Sequence, residues 1–186
     1  MRHNMLTTDW KFDFSTLPRW DNREKIPYIY DEYYYIPDSD VLCCIYSISE
    51  VSMGNYLGFL AILQDRSNPT LLLNITEEFN FCNNFSASKD GHYLFLQPSI
   101  YKSRDNSIHR PVLVIDVLEN KFAFITTDNL NPCYKVIELD KFNFKIEADE
   151  NQKGDPRLDE LCRKKIRIDR LEWHTLSTLT SLQKML

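Results

Sequence analysis

Asp90 and His92 flank Gly91 in the segment Ser88-Lys89-Asp90-Gly91-His92. A carboxylate beside an imidazole can orient the ring. A Ser or Cys brought close in space could then serve as nucleophile, as in a hydrolase. The plainer reading is that Asp90 shapes a turn and His92 starts a strand. The other histidines are His3, His109 and His174, and none of the four belongs to an HExxH, HxH or HxxxH pattern. No metal and no cofactor is therefore expected.

Two carboxylate pairs could in principle do acid–base work: Glu77 with Glu78, and Asp38 with Asp40. Such pairs need one member's pKa raised by burial, and both sit in polar, turn-like contexts that read as solvated surface. Asp38-Ser39-Asp40 has the start of a calcium loop but lacks its Gly and distal Glu. The five cysteines, Cys43, Cys44, Cys82, Cys133 and Cys162, contain no CxxC spacing. Cys43 and Cys44 lie in an apolar run with no basic neighbour to lower a thiol pKa. They read as reduced core residues in a reducing compartment.

The strongest signal is electrical. From Ile26 to Asp65 the chain has no Lys, Arg or His and carries six acids: Asp31, Glu32, Asp38, Asp40, Glu50 and Asp65. The whole protein has a net charge of −5, so this stretch holds −6 and the remainder sums to +1. Seven of the ten tyrosines share it: Tyr28, Tyr30, Tyr33, Tyr34, Tyr35, Tyr46 and Tyr56. A one-signed local field steers oppositely charged partners. Tyrosine beside carboxylate can meet Lys and Arg by hydrogen bond, ion pair and cation–π contact. The bland alternative is a solvated edge with its tyrosines folded into the core. Asp31, Glu32, Tyr33, Tyr35, Asp38, Asp40 and Glu50 are the candidate contacts with a basic protein.

The totals narrow the classes. With 186 residues, 43% hydrophobic and 26% charged, the chain suits one soluble domain. A pI near 5.4 disfavours nucleic acid as a ligand. Only 4 glycines argue against a Gly-rich phosphate loop. MRHNMLTTDWKFDF has no continuous apolar core of a signal peptide, and no apolar run is long enough to cross a bilayer, so a cytoplasmic protein is expected. The sequons at Asn74 and Asn84 read as chance matches in that setting.

The elements that must position these residues read as strands. Trp10, Phe12 and Phe14 alternate with Lys11 and Asp13, the period of a half-buried strand. Tyr28 to Ile36 reads as a strand near a sheet edge, since acids discourage pairing with another chain. Pro37 to Asp40 turns into Val41 to Ile48, an apolar run read as a buried strand. SEVSMGN turns again. Leu57 to Leu63 and Thr70 to Ile75 form a hairpin. Ser88 to Gly91 turns into a strand from His92 to Gln97, and PSIYKSRDNSIHR reads as a polar loop. Val112 to Val117 and Phe122 to Ile125 pair around Glu119-Asn120-Lys121. Tyr134 to Leu139 and Phe142 to Ile146 pair around Asp140-Lys141.

Residues 41–75 and 92–126 echo one another at an offset close to that of propeller blades, roughly 50 residues. The chain is too short for the four or so blades of a closed propeller. The expected fold is mainly β: an antiparallel meander or sandwich with propeller-blade-like hairpins over 1–150, and a mixed tail over 151–186. That tail would carry one or two short helices, one capped by Asp155 with Pro156 behind it, the other along Leu176, Leu179, Leu182 and Leu186. Ile166 and Ile168 suggest a last strand. Residues 161–186 hold six bases against two acids, a net of +4 that could lie beside the acidic stretch.

In size, acidity, β content and lack of catalytic motifs the chain resembles the immunity proteins of bacterial contact-dependent toxin systems. The resemblance implies a non-enzymatic protein that inhibits one cognate toxin, often a basic nuclease, by covering its active site. It carries no residue roles across. Two other expectations stand beside it: a propeller-like structural adaptor in a larger assembly, marked by the echo and an exposed apolar patch, and a hydrolase built on Asp90 or His92.

Overall fold

Valine, isoleucine, tyrosine and phenylalanine dominate the body of the chain, and these residues favour pleated, part-buried backbone. A computed structural model describes residues 10–18, 30–36, 39–52, 55–81, 86–102, 107–109, 111–125, 134–148, 162–163 and 165–180. The fold is mainly β, and among the described residues every strand pairing is antiparallel.

In chain order the strands are β1 (Tyr30–Ile36), β2 (Val41–Ser52), β3 (Asn55–Gln64), β4 (Thr70–Phe81), β5 (Ser86–Ala87), β6 (Tyr93–Leu96) and β7 (Pro98–Lys102). They continue with β8 (Ser107–His109), β9 (Val112–Asp116), β10 (Lys121–Ile125), β11 (Tyr134–Asp140), β12 (Asn143–Ala148), β13 (Lys165–Arg167) and β14 (His174–Thr175). They build three sheets. The first has the order β1-β2-β3-β4-β7-β8, the second β14-β10-β9-β6-β5, and the third β11-β12-β13.

The sheets stack in layers. Val41, Cys43, Ile45, Ile48, Leu60 and Ile62 of the first sheet meet Leu94, Leu113, Ile115 and Phe122 of the second. The opposite face of the second sheet, with Tyr93, Phe95, Val112 and Val114, packs on Phe144, Ile146 and Ile166 of the third. Leu42, Cys44, Tyr46, Phe59, Ala61 and Leu63 form the outer face of the first sheet. Trp10, Phe14 and Leu17 cover it. Thus β2 and β3 are buried on both sides, which is why their sequences read as unbroken apolar runs rather than alternation. Each fully buried Leu or Ile contributes about 1.5–3 kcal/mol.

Several expectations needed correction. Trp10 to Phe14 is not a strand: Asp13 Oδ1 accepts the Ser15 amide at 3.0 Å and its hydroxyl at 2.6 Å, and Phe14–Thr16 forms a 3-10 turn. A side chain that captures a nearby amide competes with sheet pairing, and here it bends the segment into a lid over the sheet. The SEVS residues stay in β2, because Ser49, Glu50 and Ser52 pair with β3. The polar segment after Gln97 supplies β7 and β8, which extend the first sheet from β4. Pro98 is tolerated there as the first residue of its strand. Residues 92–126 therefore divide between two sheets, whereas 41–75 stay in one.

The C-terminal helices differ as well. Leu176–Thr178 is a 3-10 turn, which buries Leu176 and leaves Leu179 buried just after it. Ile168–Arg170 is another such turn, after β13 rather than in it. The helix expected after Asp155 lies outside the described residues except for Cys162 and Arg163, which are helical. The expected strand at Ile166 is β13. Among the described residues no helix is long and apolar enough to cross a membrane.

Candidate functional site

The tyrosine-rich start of the acidic stretch, β1, lies at a sheet edge, while the rest of the stretch runs through β2 and β3 inside the sheet. β1 is the terminal strand of the first sheet and pairs only with β2 among the described residues. Glu32 lies opposite Ile45, Tyr33 opposite Cys44 and Tyr35 opposite Leu42, with a register irregularity between Tyr30 and Glu32. Glu50 lies near the far end of β2, opposite Tyr56. Asp40 precedes the first residue of that strand, so these two acids sit about 30 Å apart along β2 at the usual rise per residue. Asp38 lies outside the described residues.

Two of the candidate residues are tied into the scaffold. Tyr35 and Asp40 are both half-buried. The Tyr35 hydroxyl donates to Asp40 Oδ1 at 3.1 Å, and the Arg66 amide donates to Oδ2 at 2.8 Å. The Arg66 guanidinium lies 6.0 Å from the Tyr35 ring centroid, within cation–π reach. Asp40 adopts a φ of +48° and Asp65 a φ of +63°, a region that Asp tolerates better than most residues. The Asp65 amide donates to the Asp40 carbonyl at 3.1 Å, and Asp65 Oδ1 accepts the amides of Ser67 and Asn68. Asp40 and Asp65 thus shape adjoining turns.

The basic tail is placed elsewhere, as far as it is described. Lys165 and Arg167 lie in the third sheet, with the second sheet between it and the first. Arg167 meets Asp169 in a two-point pair, with Nε to Oδ1 at 3.0 Å and Nη2 to Oδ2 at 2.6 Å. The Arg167 hydrogen bonds hold the Asp169 carboxyl below its ordinary range.

A second constellation surrounds His92. The turn expected at Ser88 to Gly91 is present: the Gly91 amide donates to the Ser88 carbonyl at 3.0 Å, and Gly91 has a φ of +68°. Asp90 Oδ1 accepts the Ser88 hydroxyl at 2.6 Å and the His92 amide at 3.1 Å. Partial burial pushes the Asp90 carboxyl upward, but these hydrogen bonds outweigh it and hold the net value low. The His92 ring turns to a different acid: Nε2 lies 2.9 Å from Asp116 Oδ1. Facing a carboxylate, that nitrogen carries the proton and donates. Asp116 Oδ1 also accepts the Leu118 amide at 3.1 Å and the Glu119 amide at 2.8 Å, closing the turn from β9 to β10.

A hydrolytic triad would need a hydroxyl or thiol at the other ring nitrogen. Ser88 is buried and donates its hydroxyl to Asp90, while its oxygen accepts the Tyr93 amide at 2.9 Å. Glu77 and Glu78 are consecutive positions of β4. Cys43 and Cys44 are buried, and burial pushes the Cys43 thiol far above its ordinary value. Cys82 and Cys133 lie outside the described residues. Among the described residues no three His, Cys, Asp or Glu side chains gather to hold a metal.

Sequence reasoning missed Asp116, which is 6% exposed. Within LVIDV it reads as one polar residue ending a strand. The available signal was its offset of two from Leu118 and three from Glu119, the spacing at which an Asp side chain caps a turn. The chain matches no family model, no curated protein and no solved structure.

Proposed function

We propose that the chain is a non-enzymatic binding protein whose acidic edge captures a basic protein partner, in the manner of the immunity proteins of bacterial contact-dependent toxin systems. The observation that carries this reading is the position of β1. The segment richest in acid and tyrosine ends a sheet instead of crossing its centre, and the described basic residues of the tail belong to another layer. An edge strand offers unpaired backbone groups as well as side chains. Asp31, Glu32 and Tyr33 on β1 and Glu50 on β2 are the proposed contacts, together with Asp38. Asp40 and Tyr35 brace the end of β1 through their mutual hydrogen bond. The acids would meet partner Lys and Arg, and the tyrosines would add rigid contact area.

The test is affinity for basic candidate partners across a salt series. Binding should weaken as ionic strength rises, because exposed charges are screened beyond roughly 8–10 Å at 0.1–0.15 M salt. Affinity indifferent to salt would remove the electrostatic interface.

A further inference from the structure

A small cleft opens where the second and third sheets meet, with a volume of about 100 Å³. Its walls include Tyr93 and Trp173, whose rings stack at 6.1 Å and 28°, and the exposed ring of Phe142. Asp116, Lys121 and Asp169 supply its charge. The Trp173 ring is pinned, because its indole N–H donates to the Ile168 carbonyl at 3.2 Å.

Asp116 is the informative member. Its side chain is 8% exposed, and it lines the cleft. All three of its donors, His92 Nε2 and the amides of Leu118 and Glu119, reach Oδ1. Among the described residues no donor reaches Oδ2. Oδ2 keeps contact with solvent and borders the open volume, where a donor from another molecule can reach it. The other charges are already matched. Lys121 Nζ faces Glu119 at 3.4 Å, and Asp169 is held by Arg167.

We infer that this cleft is a socket for a single organic cation, a guanidinium or ammonium group, with Asp116 Oδ2 as its acceptor and the Tyr93 and Trp173 rings as its apolar and cation–π wall. The size sets the class. The cleft exceeds the roughly 30 Å³ share of one water and falls well below the 300–1,000 Å³ or so of a drug-sized pocket. It suits the tip of one side chain or a small free amine. An anion would meet the Asp116 carboxylate. A neutral amide would forgo the charge-assisted bond, about twice as strong as a neutral one. The socket uses other strands than the acidic edge and does not rest on that reading: the edge could be inert and the socket still bind.

The test uses the full-length, 15N-labelled protein at fixed ionic strength, following the Trp173 indole N–H resonance. Ethylguanidinium should shift it saturably in the millimolar range, and ethylurea, its neutral isostere, should not. Asp116→Asn should weaken ethylguanidinium binding about tenfold, the equivalent of one charge-assisted hydrogen bond. Because Asp116 also closes a turn, Trp173→Leu provides a second variant that keeps the carboxylate, with an expected loss of about threefold or more. A capped Gly-Arg-Gly peptide binding more tightly than ethylguanidinium would place the natural cation on a polypeptide, and weaker binding would point to a free amine. Equal shifts with ethylurea, no saturation, or unchanged affinity in a folded Asp116→Asn protein would overturn the inference.

Discussion

The Tyr35 hydroxyl reaches the Asp40 carboxylate at 3.1 Å, joining the last turn of the acidic edge to the strand that carries it. Arg66 completes the link, with its amide on the other Asp40 oxygen and its guanidinium 6.0 Å from the Tyr35 ring. Two of the six acids in the stretch, Asp40 and Asp65, are thus spent on architecture, and the end of the edge has a defined shape.

Removing that carboxylate should loosen the turn. Asp40→Ala leaves a half-buried hydroxyl and an amide without their acceptor and puts alanine at a φ of +48°. A loss of about 1–3 kcal/mol is expected in urea unfolding. Asp40→Asn should cost less, since asparagine accepts one of the bonds and tolerates the left-handed region.

Gly91 should be equally sensitive. At a φ of +68° a side chain is strained, and a Cβ there would overlap Ile36 Cγ2. The turn leading into His92 packs directly against the end of β1. Gly91→Ala is expected to destabilise the protein by about 1–3 kcal/mol, read as a lower urea midpoint with unchanged slope. An unaffected midpoint would mean that the turn and the edge do not pack as described.

Alkaline pH offers a third check, through Tyr93. Burial raises its phenol above the ordinary value, and the charges of Asp116, Asp90 and Glu119 push it further the same way. A folded pKa above the unfolded one favours the protonated form in the folded state. That contribution is fully present below the unfolded value of about 10 and is lost as pH rises through the folded value. Unfolding free energy measured from pH 8 to 11 should therefore fall more steeply in the parent protein than in Tyr93→Phe.

Charge reversal tests the edge itself. Asp31→Lys with Glu32→Lys is first checked for a cooperative unfolding transition, so that a change in binding is read on a folded protein. Binding to a basic partner should weaken at least tenfold at low salt, with the difference shrinking as salt rises. Surface plasmon resonance at two ionic strengths distinguishes the outcomes. Equal affinity of both proteins would remove β1 from the interface.

Much of the strand pattern was written locally. The apolar run at Val41 to Ile48, the turn at Ser88 to Gly91 and the hairpin around Asp140-Lys141 all follow from residues within a few positions of one another, as does the mainly β, antiparallel character. The β1 edge followed from acids that sit poorly in the middle of a sheet. What lay beyond local pattern was the stacking. Trp10, Phe12 and Phe14 have strand spacing, yet Asp13 captures the next amides and the aromatics become a cover for a sheet formed far along the chain. His92 and Asp116 stand 24 residues apart. Asp90 was the nearer partner in sequence, but pairing of β6 with β9 set Tyr93 opposite Asp116 and brought the two side chains together. Side-chain period and turn chemistry are short-range properties that a sequence states directly. Which faces meet, and which buried carboxylate is left with an open oxygen, depends on contacts between distant strands and exists only once the sheets have packed.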